Sequence, residues 1–390
     1  MKKLLLLLLV VFAFAKVSQG QVDGSSHTTI KTIPSEGLGT TYIFKDVIDL
    51  EATPVISQGN TGTCWSFSTS SFLESEITRL TGKHIDLSEM YTVRNTYPEK
   101  ANNYVMRQGK AQFSEGGLAH DVIHSITQYG LVPLDAYTGL TPVDDGHNHA
   151  EMVAVIKAML DTYIDNPGRQ LSTKWKAAVA GVLDIYLGEN LETFSFQGKN
   201  YTPESFRESV NINPKDYISL TSFTHIPFYA SSILNIPDNF SNGSFYNIPI
   251  DEFVATIDNA LEKGYTLTLD CDVSEITFSS RQGVAVIPEG TENKKLAVLK
   301  PFPEKKISQG FRQQEFENYN TTDDHLMHIT GKAVDQNGTV YYKVKNSWGT
   351  DPSRTTYDGY VYMSVAYLRL KAISILLHKD TYPDAVVSKG

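Results

Sequence analysis

Apolar residues first fall into a helical rhythm directly after a cysteine. Phe67, Phe72, Leu73, Ile77 and Leu80 recur at spacings near three and four, which gathers them on one side of a helix. Thr63 offers a cap and Gly82 a stop, so the pattern predicts an amphipathic helix over Cys64–Thr81 with the thiol in its first turn. Helical segments are also expected over Glu151–Ile164, Trp175–Leu191 and Asp251–Lys263. Strand-like alternation follows over Tyr265–Asp270, Val284–Pro288, His328–Asp335, Val340–Asn346 and Gly359–Ser364, with Gln336-Asn337-Gly338 as a turn signal between two of them. A helical part followed by a β-rich part argues for an α+β architecture with a cleft between two lobes.

Six stretches are expected. They are a signal segment over 1–20, an arm over 21–45, a helical lobe over 46–143, a helical insertion over 144–249, a β-rich lobe over 250–379 and a tail over 380–390. The first of these places Lys2 and Lys3 before an apolar run, Leu4 to Ala15, with Ser18 and Gly20 beyond it. That arrangement reads as an export signal cleaved near Gly20, because a membrane-spanning helix needs about 20 apolar residues. The expected location is outside the cytoplasm, secreted or periplasmic, with no membrane partner.

Composition narrows the function. With 390 residues, 41% hydrophobic and 20% charged, the chain can close a core without disulfide staples. A formal charge of −10 disfavours general affinity for nucleic acid. The insertion carries seven Lys and Arg against ten Asp and Glu over 151–245, so it is no basic patch either. Only two cysteines occur, Cys64 and Cys271, in different local contexts. A cysteine without an obvious partner in an exported chain invites reading as a reactive thiol.

The residues before that thiol support this reading. In Gln58-Gly59-Asn60-Thr61-Gly62-Thr63-Cys64-Trp65-Ser66-Phe67, the helix N-terminus favours a thiolate through its unpaired N–H groups and dipole. The glycines permit a tight turn, and Gln58 can offer an amide to an oxyanion. A thiolate needs a base, and the base an orienter. Asp323-Asp324-His325-Leu326-Met327-His328 supplies the first and Lys345-Asn346-Ser347-Trp348-Gly349 the second. Trp348 is placed to shield a His325–Asn346 bond from water. His328 is the rival base, read here as a strand residue, and Cys271 is read as packed.

Taken in order, these motifs resemble the papain-like cysteine peptidases, and most closely their bleomycin hydrolase and aminopeptidase C branch. The branch marks are Thr61 to Phe67, Leu87-Ser88-Glu89-Met90-Tyr91, Ser114-Glu115-Gly116-Gly117 and Asp272-Val273-Ser274-Glu275. The resemblance implies a two-lobed papain-like fold and a peptide-hydrolysing site. In it Gln58 is the oxyanion donor, Cys64 the nucleophile, His325 the base and Asn346 the orienter. Gly116, Gly117 and Trp348 are the expected substrate-binding residues, peptides the substrates, and no cofactor or metal is called for. A homo-oligomer, hexameric in this branch, is also implied. The C-terminal stretch from His378 to Gly390 does not match the cleft-filling tail of these relatives. An acyltransferase using the same site, or a catalytically silent binding protein on the same scaffold, are the alternative readings.

Overall fold

The computed structural model describes residues 40–382 apart from 142, 143, 167 and 169. The expected signal segment, the arm before residue 40 and the tail from 383 lie outside the described residues.

The helix predicted from the apolar rhythm runs over Cys64–Thr81 and stops where Gly82 turns left-handed at φ 68°, donating to the Thr78 carbonyl. Thr63 does not cap it. Its backbone is near-helical (φ −100°, ψ 23°) instead of extended, and its hydroxyl pairs with that of Thr61 at 2.6 Å. Ser66, Ser70, Glu74 and Glu76 are buried alongside Phe72, Leu73 and Ile77. The helix is therefore enclosed on nearly all sides, between the helices Glu89–Met106 and Ala119–Tyr129 and the sheet.

Among the described residues, eleven strands form that sheet. At its heart lies His325–Val334, whose first half pairs antiparallel with Leu267–Cys271, placing His325 opposite Cys271. Its second half pairs with Lys45–Asp49, and its other edge with Val340–Lys345, where His328 lies opposite Lys345. Tyr360–Ser364 continues the order beyond Val340–Lys345. Two apolar clusters flank the strand, and consecutive residues divide between them. Leu326 packs with Trp65, Phe72 and the helices; Met327 packs with Leu269, Val344 and Tyr367. This is the period-two alternation of a strand buried on both faces.

The segment expected as a helical insertion, 144–249, has two parts. Helices Ala150–Ile164 and Lys174–Leu187 come first, with Asp184 accepting from Arg94 of Glu89–Met106 at 2.5 Å. From Tyr217 onward the segment instead joins the sheet. Tyr217–Thr221 pairs with Ala372–His378, and Ser244–Asn247 and Ala230–Ile233 extend the same edge. These strands have four or five residues and carry Ser and Asn, too short and polar for alternation to show. Ala372–His378 also escapes the pattern, because every residue of it is buried and no polar phase marks its two faces.

Candidate active site

Cys64 opens the first turn of its helix and is 5% exposed. The first N–H groups of a helix have no intrahelical acceptor, so the thiol stands at an unpaired, positively polarised end. Burial pushes the thiol up to about 12, helped by the charges of Asp238, Asp270 and Asp323 and opposed by the Leu326 backbone N–H. Since Leu326 directly follows His325, this N–H brings the start of the histidine strand to the sulfur.

His325 is buried, and its Nε2 lies 2.8 Å from Asn346 Oδ1. That same oxygen accepts the Ser347 N–H at 2.8 Å, which fixes it as an acceptor. Nε2 must then carry the proton, leaving Nδ1 with a free lone pair. Trp348 stacks on the imidazole with centroids 4.5 Å apart and planes at 21°. Burial lowers the imidazole to about 4, against the stabilising Asn346 bond. Both the thiol and the imidazole are thus held neutral as isolated groups. Transfer of the thiol proton to Nδ1 creates two charges that offset one another, which is less costly than burying either alone.

Gln58 is held from both ends. Its Nε2 donates to Thr61 O at 2.6 Å, its Oε1 accepts from Ser347 Oγ at 2.6 Å, and its backbone N–H donates to Ser347 O at 2.9 Å. One amide hydrogen remains for another acceptor. The loop between Gln58 and Cys64 is itself braced. Gly59 adopts φ 67° with its Cα against the His147 carbonyl, where a side chain would come within 2.5 Å. Gly62 N–H donates to Glu115 Oε2 at 2.5 Å, and Trp65 Nε1 donates to Glu115 O at 3.0 Å.

The motif Ser114-Glu115-Gly116-Gly117 therefore does more than supply glycines. Glu115 bolts the loop before Cys64 to the opposite segment, a role the sequence reading did not assign to it. Gly117 backs onto the Trp65 indole, where a Cβ would come to 3.1 Å, and Gly116 faces the Asp238 carboxylate, where a Cβ would come to 2.0 Å. Ser347 is a second residue without a predicted role, although its place between Asn346 and Trp348 was signal enough to ask.

His328 is drawn elsewhere. Its Nδ1 lies 2.9 Å from Ser71 Oγ, which also accepts Lys345 Nζ at 2.7 Å, and its ring meets Phe72 edge-on. Burial and Lys345 hold it far below the usual histidine range. Cys271 is fully buried, on the strand that pairs with the histidine strand. Among the described residues, no group of three or more His, Cys, Asp or Glu is arranged to hold a metal ion. No described helix is long and apolar enough to cross a membrane.

The peptidase C1-like family model matches residues 35–389, and the chain belongs to that family. It is a cysteine-type peptidase with the α+β, papain-like fold. Aminopeptidase C of Listeria monocytogenes serovar 1/2a is 22% identical over 368 residues, 83% of this chain and 80% of that protein. Aminopeptidase C of Lactococcus lactis subsp. cremoris is 22% identical over 370 residues, covering 85% and 82%. PepW from Lactobacillus rhamnosis superposes with a TM-score of 0.71 at 18% identity, over 93% of this chain and 85% of that one.

Proposed function

We propose that this chain is an exported aminopeptidase in which Cys64 is the nucleophile, His325 the base, Asn346 its orienter and Gln58 an oxyanion donor. The observation that carries the reading is the His325–Asn346–Ser347–Gln58 chain of hydrogen bonds closing on the helix that begins at Cys64. The names of the two similar aminopeptidases C favour cleavage at the amino end.

In this mechanism Nδ1 of His325 takes the Sγ proton as the thiolate attacks the peptide carbonyl carbon. The carbonyl π pair moves onto oxygen, where the spare Gln58 N–H and the Cys64 backbone N–H receive it. As the carbon–nitrogen bond breaks, His325 gives its proton to the departing amine. Water, deprotonated by His325, then attacks the thioester; the carbon–sulfur bond breaks, the sulfur regains a proton and a carboxylic acid leaves. Gly116, Gly117 and Trp348 are the proposed walls for the substrate. Trp348 covers the imidazole, which keeps water away from the His325–Asn346 bond.

Paired fluorogenic peptides with a free or an acetylated amino terminus test the reading under reducing conditions. Wild type is expected to cut the free-amine peptide, and Cys64→Ala to lose on the order of 10⁴-fold in kcat with its thermal unfolding unchanged. Equal cleavage of both peptides would make the chain an endopeptidase. Export rests on Lys2, Lys3 and the apolar run to Ala15; amino-terminal sequencing of protein from culture medium or periplasm should start near Gln21.

A further inference from the structure

Asp272-Val273-Ser274-Glu275 takes no part in the mechanism above, yet it meets the segment that delivers His325 to the sheet. That segment leaves the helix Gln309–Glu317 through Tyr319, whose backbone turns left-handed at φ 60°. Asn320 to Asp324 lie outside the strands, and the ladder to Leu267–Cys271 starts only at His325. The course of these residues must therefore be set by bonds other than those of the sheet.

Those bonds converge on two wholly buried side chains, Asp272 and Lys371. Lys371 ends the helix Val365–Lys371, and its ammonium has three hydrogens for three acceptors: Asp272 Oδ2 at 3.2 Å, Glu275 Oε1 at 2.9 Å and the Asn320 carbonyl. Asp272 Oδ2 also accepts the Thr322 N–H at 3.0 Å, while Oδ1 accepts the Ser274 N–H at 2.7 Å. The Asp272 backbone is held as well, its N–H donating to Lys371 O at 3.0 Å and its carbonyl accepting from Tyr367 Oη at 3.0 Å. Val273 donates its N–H to Asp324 Oδ2 at 3.3 Å, and Thr322 Oγ1 donates to Asp324 Oδ1 at 2.7 Å. The segment is thus gripped at Asn320, Thr322 and Asp324, the last of which adjoins His325. Burial alone would lower the Lys371 ammonium, but Asp272 and Glu275 outweigh it and hold the group above the ordinary lysine range. The pair is therefore charged, and charge-assisted bonds of this kind are stronger than neutral ones.

We infer that Asp272 and Lys371 are positioning residues for His325: they clasp the segment from Asn320 to Asp324 and so set the place of the imidazole against Cys64. The inference rests on the Cys64–His325 reading above and deepens it. A displacement of about 1 Å in such a pair costs on the order of 10²-fold in rate. A pair that only stabilised the fold would act through unfolding alone, and removing both charges together separates the two roles, because only a single removal strands a buried charge.

The test compares Asp272→Asn, Lys371→Met and the double variant with wild type, Cys64→Ala, His325→Ala and Lys294→Ala. Three quantities are read: steady-state kinetics, thermal unfolding and the rate at which iodoacetamide alkylates Cys64. Alkylation reports the thiolate–imidazolium pair without substrate, and Cys64→Ala supplies the blank for Cys271. Asp272→Asn and Lys371→Met should each lower kcat about 10- to 100-fold with KM nearly constant, and slow alkylation by a similar factor. The double variant should unfold closer to wild type while its kcat stays low, and it decides the matter if a single variant does not fold. Lys294→Ala, which gives up only a contact with Glu275 Oε2 at 3.4 Å, should keep the wild-type kcat. Unchanged alkylation in the Asp272 and Lys371 variants, or a double variant whose kcat returns with its stability, overturns the clasp and spares the peptidase reading. A Cys64→Ala chain that still cleaves, or a His325→Ala chain whose thiol reacts as fast as wild type, overturns that reading itself.

Discussion

At the scale of single residues, each group of the site is constrained by a partner whose own chemistry admits one arrangement. Asn346 Oδ1 receives two donors, so the imidazole proton must sit on Nε2. Asn346→Ala frees the ring to rotate and is expected to lower kcat about 10²-fold with little effect on unfolding temperature. The acid limb of kcat/KM follows the free histidine. Burial lowers His325 to about 4, so activity should persist as pH falls through 6.5 and fail only near pH 4, where the protonated ring can no longer take the thiol proton. Trp348→Ala uncovers the stacked face and should move that limb upward toward 6.5; a limb that stays near pH 4 would show that Trp348 does not set it. Glu115→Ala leaves the Gly62 N–H without its acceptor and should cost about 1–3 kcal/mol of stability together with some kcat. Glu115→Gln, still an acceptor there, should cost less in both urea melts and rates.

At the scale of elements, the parts legible in the sequence were those with a one-sided pattern or a local stop. Cys64–Thr81 has both, and its observed limits are the predicted ones. The strand that carries His325 was expected only from His328, because Asp323 and Asp324 before it look like loop; the backbone enters the sheet at His325 itself. Ala372–His378, buried throughout, left no alternation to detect. The candidate nucleophile, base and orienter were legible because their local contexts are distinctive, whereas Glu115 and Ser347 act through neighbours that are 53 and 289 positions away along the chain, at Gly62 and Gln58. Such pairings exist only after folding. One element-scale consequence concerns Asp270, on the strand beside the histidine strand. Burial raises its carboxyl to about 8, and it shares a hydrogen bond with Asp323. An acid whose folded pKa is raised destabilises the fold progressively as pH climbs from about 4 to that value. Asp270→Asn should therefore show a flatter fall of Tm between pH 5 and 8 than wild type, and an identical slope would rule out the shared proton.

At the scale of the whole molecule, the lobes are not separable bodies joined by an insertion. The chain from 217 to 247 contributes strands to the sheet that holds the histidine, and the loop Leu234–Gly243 lies between two of those strands. Arg312 fastens this junction from beneath. It is wholly buried, donating from Nε to Ser222 O at 2.8 Å and from Nη1 to Arg369 O at 3.0 Å, with its guanidinium 4.5 Å from the Phe223 ring centroid. Burial lowers it to about 9, and among the described residues no carboxylate pairs with it. Its stabilising contribution must then come from hydrogen bonds to carbonyls and from packing, set against the cost of an unpaired buried charge. Arg312→Ala forfeits the bonds, strands the carbonyls and leaves a cavity, for a loss of about 3–5 kcal/mol. Arg312→Met keeps most of the stem and removes the charge, so it should lose less. Because Tyr217–Thr221 stays hydrogen-bonded to Ala372–His378 within the main sheet whether or not Arg312 is present, both variants should still unfold in one transition, with tryptophan fluorescence and far-ultraviolet circular dichroism falling together. Separate transitions would mean that the 144–249 segment detaches before the rest of the sheet.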